Sequence, residues 1–445
     1  MNRRELLKAA GWMTAANAAG WGQSPTASSR KPNILFILAD DLGINGLSCY
    51  GSDKFQTPRI DGLAAGGTRY TNAYTAPLCG PSRALILTGR YAFRTGATNQ
   101  DATGQMKPSV ETMTPKLLKQ AGYTSAMIGK WGQLPLGPAE FGFDEHLKFN
   151  GSGAYWNTQD KAKVYTVNGE KVKLGDHEYL PDLMHRYLVD FLNRHRNKPF
   201  FAYYSLSHVH AEILPTPDSA PGVQDAYADN IRYMDKLVGR VVDELDRLKL
   251  RENTLIVFFG DNGTGNNYAD ISTVRGKRLA GEKGSMLEGG ANVPLILNWP
   301  GRTPAGKVTA ELMDSTDLHP TFAELAGAKP QSASPIDGRS FVPQLQGKKG
   351  NPREWVFIQL ARQWYVREAK FKLNQAGDLF DMSKAPFEEP VIPPGSASPA
   401  ATSARRRLQA ALDRLNPAGG ILDTGDGTGR HAGREENRKK KRQER

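Results

Sequence analysis

Residues 33–38, Asn-Ile-Leu-Phe-Ile-Leu, form an apolar run without a polar face. A segment hidden on both sides suits a central strand of a parallel sheet with helices on both faces. Residues 123–128, 199–206 and 254–259 repeat the pattern, and helical periodicities lie between them. Thr114-Pro115 forms an N-cap and first-turn pair ahead of Leu117 and Leu118, with a stop at Gly122. Leu180, Met184, Leu188 and Leu192, then Ile231, Met234, Val238 and Leu245, fall at helical spacing and read as core. The pattern predicts an α/β fold, a large mostly parallel sheet sandwiched by helices.

The chain has 445 residues, and at roughly 150 residues per domain it has room for two or three domains or one large core with an appendage. The expected boundaries are an export signal and linker over 1–31, a large α/β unit over 32–345, a small α+β unit over 346–416 and a disordered basic tail over 417–445. Residues 356–360, 364–367, 371–373 and 379–381 read as short antiparallel strands, and 401–415 as a last helix.

The net charge of +12 would suit a polyanion partner, but residues 1–31 supply +4 of it and residues 430–445 supply +5. A body near +3 argues against a nucleic-acid binder. No apolar run reaches the length of about 18 residues that a membrane span needs. Arg3-Arg4, Leu6-Leu7 and Lys8 precede a mildly apolar stretch with small residues at 16–18, the pattern of a twin-arginine export signal, although a short basic terminus would also fit. The expected location is therefore the periplasm or the extracellular space. The two cysteines, Cys49 and Cys79, do not make a disulfide scaffold, though an exported chain could join them in one bridge.

Ligands of open α/β sheets gather beyond the carboxyl ends of the strands. Here the apolar runs end in Asp40-Asp41, Lys130, His208-Val209-His210 and Asp261-Asn262. Carboxylate and amide oxygens in that number suit a hard cation such as Ca²⁺ or Mg²⁺ better than zinc. Helix capping is the plainer use of each pair alone. In Cys79-Gly80-Pro81-Ser82-Arg83, Pro81 fits the first turn of a helix that Gly89 would end. Cys79 then stands at the helix start, where amide donors favour an anion, and Arg83 adds a permanent cation.

Cys79-Gly80-Pro81-Ser82-Arg83 followed by Thr88-Gly89-Arg90 resembles the type I, formylglycine-dependent sulfatases of the alkaline phosphatase superfamily. Further matches run in the family's order: Asp40-Asp41-Leu42-Gly43 with Cys49-Tyr50-Gly51, Gly129-Lys130-Trp131, Gly142-Phe143-Asp144, Gly260-Asp261-Asn262-Gly263, Lys283-Gly284, Glu288-Gly289-Gly290 and Val293-Pro294. The resemblance covers residues 32–381 and implies an alkaline-phosphatase-like fold. It further implies that Cys79 is converted to formylglycine by a formylglycine-generating enzyme. A hydroxyl of the aldehyde hydrate then attacks the sulfur of a sulfate ester, and the second hydroxyl expels sulfate. Asp40, Asp41, Asp261, Asn262 and the modified Cys79 would hold Ca²⁺, with Mg²⁺ less favoured. Arg83 would orient the hydrate, Lys130 and Lys283 would neutralise the sulfate, and His210 would serve the leaving oxygen as acid or hydrogen-bond donor. His208 reads as a supporting or surface residue.

One departure stands out. The family usually carries His after Gly-Lys-Trp, whereas Gly132-Gln133 follow here. Gln133 could fill the space and bind substrate, but an amide is no general base. Three functions remain open on these grounds: a sulfatase acting on sulfated small molecules or glycans, a phosphate ester or phosphonate hydrolase, and a binder of sulfated glycans with an impaired site.

Overall fold

The computed structural model describes residues 30–132, 134–149, 151–157, 164–329 and 335–430. The expected export signal, Gln133 and residues 431–445 of the expected tail lie outside them. The main sheet contains, in chain order, β1 (Asn33–Ala39), β2 (Thr68–Tyr74), β3 (Thr124–Lys130), β4 (Glu145–Phe149), β5 (Val164–Val167), β6 (Glu170–Lys173), β7 (Phe200–Ser205), β8 (Thr254–Gly260), β9 (Asn292–Asn298) and β10 (Lys307–Asp314). Their spatial order is β10-β2-β9-β8-β1-β7-β3-β4-β5-β6. Neighbours from β8 through β1, β7 and β3 to β4 are parallel. β9 and the β5–β6 ribbon run antiparallel, so the sheet is mixed around a parallel centre.

The four apolar runs are the four middle strands of that centre, and β1 is buried along its whole length. Successive side chains of a strand face opposite sides. Leu35 and Ile37 pack with the Leu180–His195 and Ala226–Arg247 helices. Ile34, Phe36 and Leu38 pack on the other side with residues of the Cys79–Thr88 and Leu318–Ala326 helices.

The second sheet is antiparallel, with β11 (Val356–Leu360), β12 (Gln363–Arg367), β13 (Phe371–Asn374) and β14 (Leu379–Asp381) in sequential order. The Pro399–Leu415 helix buries Ala401, Leu408 and Ala411 in a cluster with Val366 and Leu373. A buried ion pair joins the two sheets. Arg367 Nε of β12 donates to Glu288 Oε1 (3.0 Å), which also receives the hydroxyl of Tyr74 from β2 (3.1 Å).

The tail expectation needs correction. Residues 417–430 are packed on the body, because Ile421 N donates to the Phe93 carbonyl (2.7 Å) and Gln100 N to the Gly429 carbonyl (2.9 Å). Asp423 is buried and accepts from Thr98 Oγ1 (3.1 Å). A Gly-rich, charged composition gave no sign of these tertiary contacts.

His319 of the Leu318–Ala326 helix lies buried with its Nδ1 2.9 Å from Thr114 Oγ1 and 3.0 Å from the Leu87 carbonyl. Burial pulls its pKa from 6.5 down to about 4. Between those values the unfolded chain binds a proton that the folded chain refuses, so this contribution to stability falls as pH drops from 6.5 to about 4. Urea unfolding of His319→Gln should therefore show a shallower decline over that window than the parent.

Candidate active site

The carboxyl ends of the parallel strands converge. Asp40 and Asp41 follow β1, Asp261 and Asn262 follow β8, Lys130 closes β3, and the turn after β7 carries His208 and His210. Register pairs Ala39 with Gly260, so Asp40 and Asp261 leave the sheet side by side. Asp261 N donates to the Ala39 carbonyl (3.0 Å), and Asp40 N to the His208 carbonyl (2.7 Å). Adjacent residues of a strand would point to opposite faces. Asp41 instead takes a left-handed φ of 60°, a conformation Asp tolerates better than most residues. Both carboxylates thereby enter one cluster, in which single ligand atoms of Asp40, Asp41, Cys79 and His210 all lie within 4.8 Å of one another.

Cys79 opens the Cys79–Thr88 helix, all ten of whose residues are buried, and its Sγ lies 3.7 Å from Asp41 Oδ1. One turn along, Arg83 is 0% exposed. Its Nη1 donates to the Lys130 carbonyl (2.9 Å) and to Ser205 Oγ at the end of β7. Its Nη2 donates to Asp261 Oδ2 (2.7 Å) and lies 3.7 Å from Asp40 Oδ1. Gly132 crosses beneath it with φ 81°, where a Cβ would come within 2.9 Å of Arg83 Cδ.

Lys130 Nζ donates to both oxygens of Asp40, each at 2.7 Å. Lys283 Nζ donates to Asp41 Oδ2 (2.7 Å). Burial alone would lower the Lys130 pKa, but Asp40 raises it. Burial likewise works upward on Asp41, while Lys283, His210 and Lys130 hold its carboxyl well below the usual range. Asp261 is pushed up to about 6 by burial and by Asp40, against the pull of Arg83. Burial pushes the Cys79 thiol up to about 12 in spite of Lys130 and Lys283. It pulls His210 down to about 4, so the ring is neutral at pH 7. The His210 Nδ1 contact with the Ala211 carbonyl keeps the proton on that nitrogen and leaves Nε2 toward Asp41 Oδ2 at 3.5 Å. The expected donor role at Nε2 thus requires a doubly protonated ring.

The oxygens fit a hard cation. Asn262 Nδ2 donates to Asp41 Oδ1 (2.9 Å), while its buried Oδ1 has no hydrogen-bond partner, as expected of an atom that ligates a metal. Asp261 is not one of the four clustered residues; its Oδ2 accepts from Arg83 and its Oδ1 from the Asp41 amide, which leaves each oxygen a further lone pair.

Nine of the ten expected site residues thus come together, and the tenth is Gln133, outside the described residues. His208 is buried elsewhere, its Nε2 3.0 Å from the Tyr179 hydroxyl and its ring 5.4 Å from that of Tyr155. No Cys49–Cys79 bridge forms, since both thiols are free and the Cys49 amide donates to Asp61. Sequence reasoning missed Asn266, Tyr268 and Arg430, which line the open cleft beside Asp41, His210 and Lys283. Asn266 and Tyr268 stand close after the Gly260–Gly263 motif, whereas Arg430 carried no local signal.

Two outcomes follow. Removing Arg83 leaves buried Asp261 without its cation, so Arg83→Met should lose about 3–5 kcal/mol of stability in urea unfolding. With a thiol pKa of about 12, roughly one Cys79 in ten thousand is thiolate at pH 8. Folded, unmodified protein should resist iodoacetamide at Cys79 under conditions that label the urea-unfolded chain, as read by peptide mass.

The sulfatase family profile matches residues 32–328, and the profile "N-sulphoglucosamine sulphohydrolase, C-terminal" matches residues 280–388. The chain is 33% identical over 377 residues to N-acetylgalactosamine-6-sulfatase of Canis lupus familiaris, a match covering 77% of this chain and 71% of that protein. It is 32% identical over 427 residues to steryl-sulfatase of Mus musculus, covering 75% and 67%. The crystal structure of Ps i-CgsB in complex with k-i-k-neocarrahexaose superposes with a TM-score of 0.76 at 27% identity, covering 89% of this chain and 96% of that one. PsFucS1 sulfatase from Pseudoalteromonas sp. gives 0.73 at 25%, covering 88% and 92%. On a mixed α/β sheet of the alkaline-phosphatase-like kind, with the family profile spanning its catalytic core, this chain belongs to the sulfatase family and is a sulfuric ester hydrolase.

Proposed function

We propose that this sulfatase removes sulfate from carbohydrates, using a formylglycine made from Cys79 by a formylglycine-generating enzyme and a Ca²⁺ ion held beside it. The observation that carries the reading is the placement of Cys79. It stands at a helix start between Lys130, Lys283 and three carboxylates, with its thiol held neutral by burial. A neutral thiol is a poor nucleophile, so the position becomes useful when the sulfur is replaced by an aldehyde. The hydrated aldehyde supplies a hydroxyl whose oxygen bonds to sulfur as the bond to the alcohol oxygen breaks. Asp40, Asp41, Asp261 and Asn262 would hold the ion, which supplies positive charge at the sulfate oxygens.

The chain's own residues do the rest. Lys130 and Lys283 already sit 2.7 Å from Asp40 and Asp41 and are available to share an incoming sulfate as fixed positive charge. Arg83, anchored on Asp261 and the Lys130 carbonyl, holds the metal-facing carboxylates and the start of the helix in register. His210 stands at the leaving oxygen, where the anionic substrate favours the doubly protonated ring and a proton at Nε2. Gln133 is assigned to the substrate as a hydrogen-bonding amide. The catalytic unit spans 32–345, and the small sheet and its helix over 346–416 flank it.

A carbohydrate substrate is supported by the names of the relatives, which include an N-acetylgalactosamine-6-sulfatase and a structure bound to a neocarrahexaose. Export through the Arg3-Arg4 signal fits a polysaccharide substrate, and no described helix is long and apolar enough to cross a membrane.

The decisive comparison uses protein made with the maturation enzyme and matched aryl sulfate and aryl phosphate esters. Sulfate should be released faster than phosphate, and Cys79→Ala should lose at least a thousandfold in kcat/KM. The tryptic peptide covering residues 70–83 should carry an aldehyde in active protein. Faster phosphate release would reassign the enzyme, and an unmodified thiol in active protein would remove the proposed nucleophile.

A further inference from the structure

Gly265 and Tyr268 belong to one wall of the cleft that contains Asp41, His210 and Lys283. A Cβ on Gly265 would stand 3.4 Å from Asp41 Oδ2, so the backbone there runs against the reacting centre. Tyr268 N and Ala269 N both donate to the Gly265 carbonyl (2.9 and 3.2 Å), which turns the chain back on itself within four residues. Ser272 Oγ donates to the Tyr268 carbonyl (2.8 Å), and Asn45 Nδ2 to the Ser272 carbonyl (3.0 Å). The turn is thereby tied to the buried segment that follows β1 and carries Tyr268 to the rim of the site.

The ring of Tyr268 lies on that of Tyr227, with centroids 4.0 Å apart and planes 7° from parallel. Tyr227 belongs to the Ala226–Arg247 helix, is buried, and is met by Phe55 at 5.5 Å and 73°. One face of Tyr268 is therefore covered by a side chain that is itself held in place. The residue is only half-buried, and in so close a stack the exposed part of the ring is its other face and its hydroxyl edge. Among the described residues no second ring lies on that face. Core packing accounts for the covered face alone, and the open one is apolar surface left in water beside a charged centre.

We propose that Tyr268 is a substrate-binding residue on whose open face a pyranose ring of the carbohydrate stacks, beside the scissile sulfate. A pyranose chair presents a face of C–H groups, apolar and slightly positive, and the face of an aromatic ring is negative. The match needs no charge on the sugar. A ring already fixed by Tyr227 and by its turn loses little freedom on binding. The inference rests on the carbohydrate reading and adds to it that the sugar ring is recognised by its shape, independently of the sulfate it carries.

The test uses two esters of one sugar, chosen as the methyl glycoside sulfate that binds best from a panel of hexose and N-acetylhexosamine sulfates. Its partner is the alditol sulfate of that sugar, which keeps the ester and the hydroxyls but has no ring. In the matured enzyme, Tyr268→Ala should lower the glycoside-to-alditol ratio of kcat/KM about fivefold, mainly through KM for the glycoside, and Tyr268→Phe should hold the ratio within twofold. A ratio unchanged within twofold in Tyr268→Ala, even with both rates reduced, would make the tyrosine a prop of its turn and overturn the proposal. A loss in Tyr268→Phe equal to that in Tyr268→Ala would assign binding to the hydroxyl and overturn it as well. Kd ratios for the same pair in Cys79→Ala, with and without Tyr268→Ala, need no turnover. If they move as expected while matured wild-type protein releases no sulfate from the glycoside, the carbohydrate-hydrolase reading falls and the stacking platform stands. Sulfate release with unmoved ratios would do the opposite.

Discussion

The guanidinium of Arg83 is the tie on which the arrangement depends. It rises from a fully buried helix and reaches the last carbonyl of β3, the last hydroxyl of β7 and the carboxylate that follows β8. Three strand ends and the helix carrying Cys79 are thereby referred to one rigid, planar group. Lysine could supply the charge but not the fork that spans several acceptors. The residue is wholly enclosed, so the attraction to Asp261 acts without competing water, and the same enclosure makes its loss expensive.

Charge balance follows from that tie. Asp40, Asp41 and Asp261 face Arg83, Lys130 and Lys283, three acids against three bases in a dry cluster. Each carboxylate is compensated, which is how so many charges persist under burial. A divalent cation among these oxygens, as proposed, would tip the total positive, the sign an anionic ester requires. The buried Asn262 Oδ1, which has no hydrogen-bond partner, would suit such an ion.

What could be read from the sequence follows the local strength of its signals. β1, β3, β7 and β8 were legible because a strand buried on both faces must be apolar throughout, and the residues that end them were legible as a site because strand ends collect ligands. β2 was not, since Thr68, Arg69, Thr71 and Asn72 give it a polar half, and β9 carries Pro294, which reads as a breaker. β5 and β6 are four residues each and largely uncovered. The mixed character of the sheet therefore emerged only with the structure. Arg430 was illegible for another reason. Its position depends on Asp423 meeting Thr98 and Asn99 more than 320 residues earlier, and no local pattern encodes such a meeting.

Those long separations bear on how the molecule comes into being. The cluster draws on residues from Asp40 to Lys283 and its cleft wall extends to Arg430. Such non-local contacts form late and slowly, because much loop entropy is lost before they repay it. Until then the segment that becomes the Cys79–Thr88 helix is open to solvent, and afterward Cys79 is only 2% exposed. If Cys79 is converted as proposed, the converting protein would have to work on a nascent or unfolded chain, and the time between the synthesis of residue 79 and the closing of the fold would set how completely a population of molecules is converted.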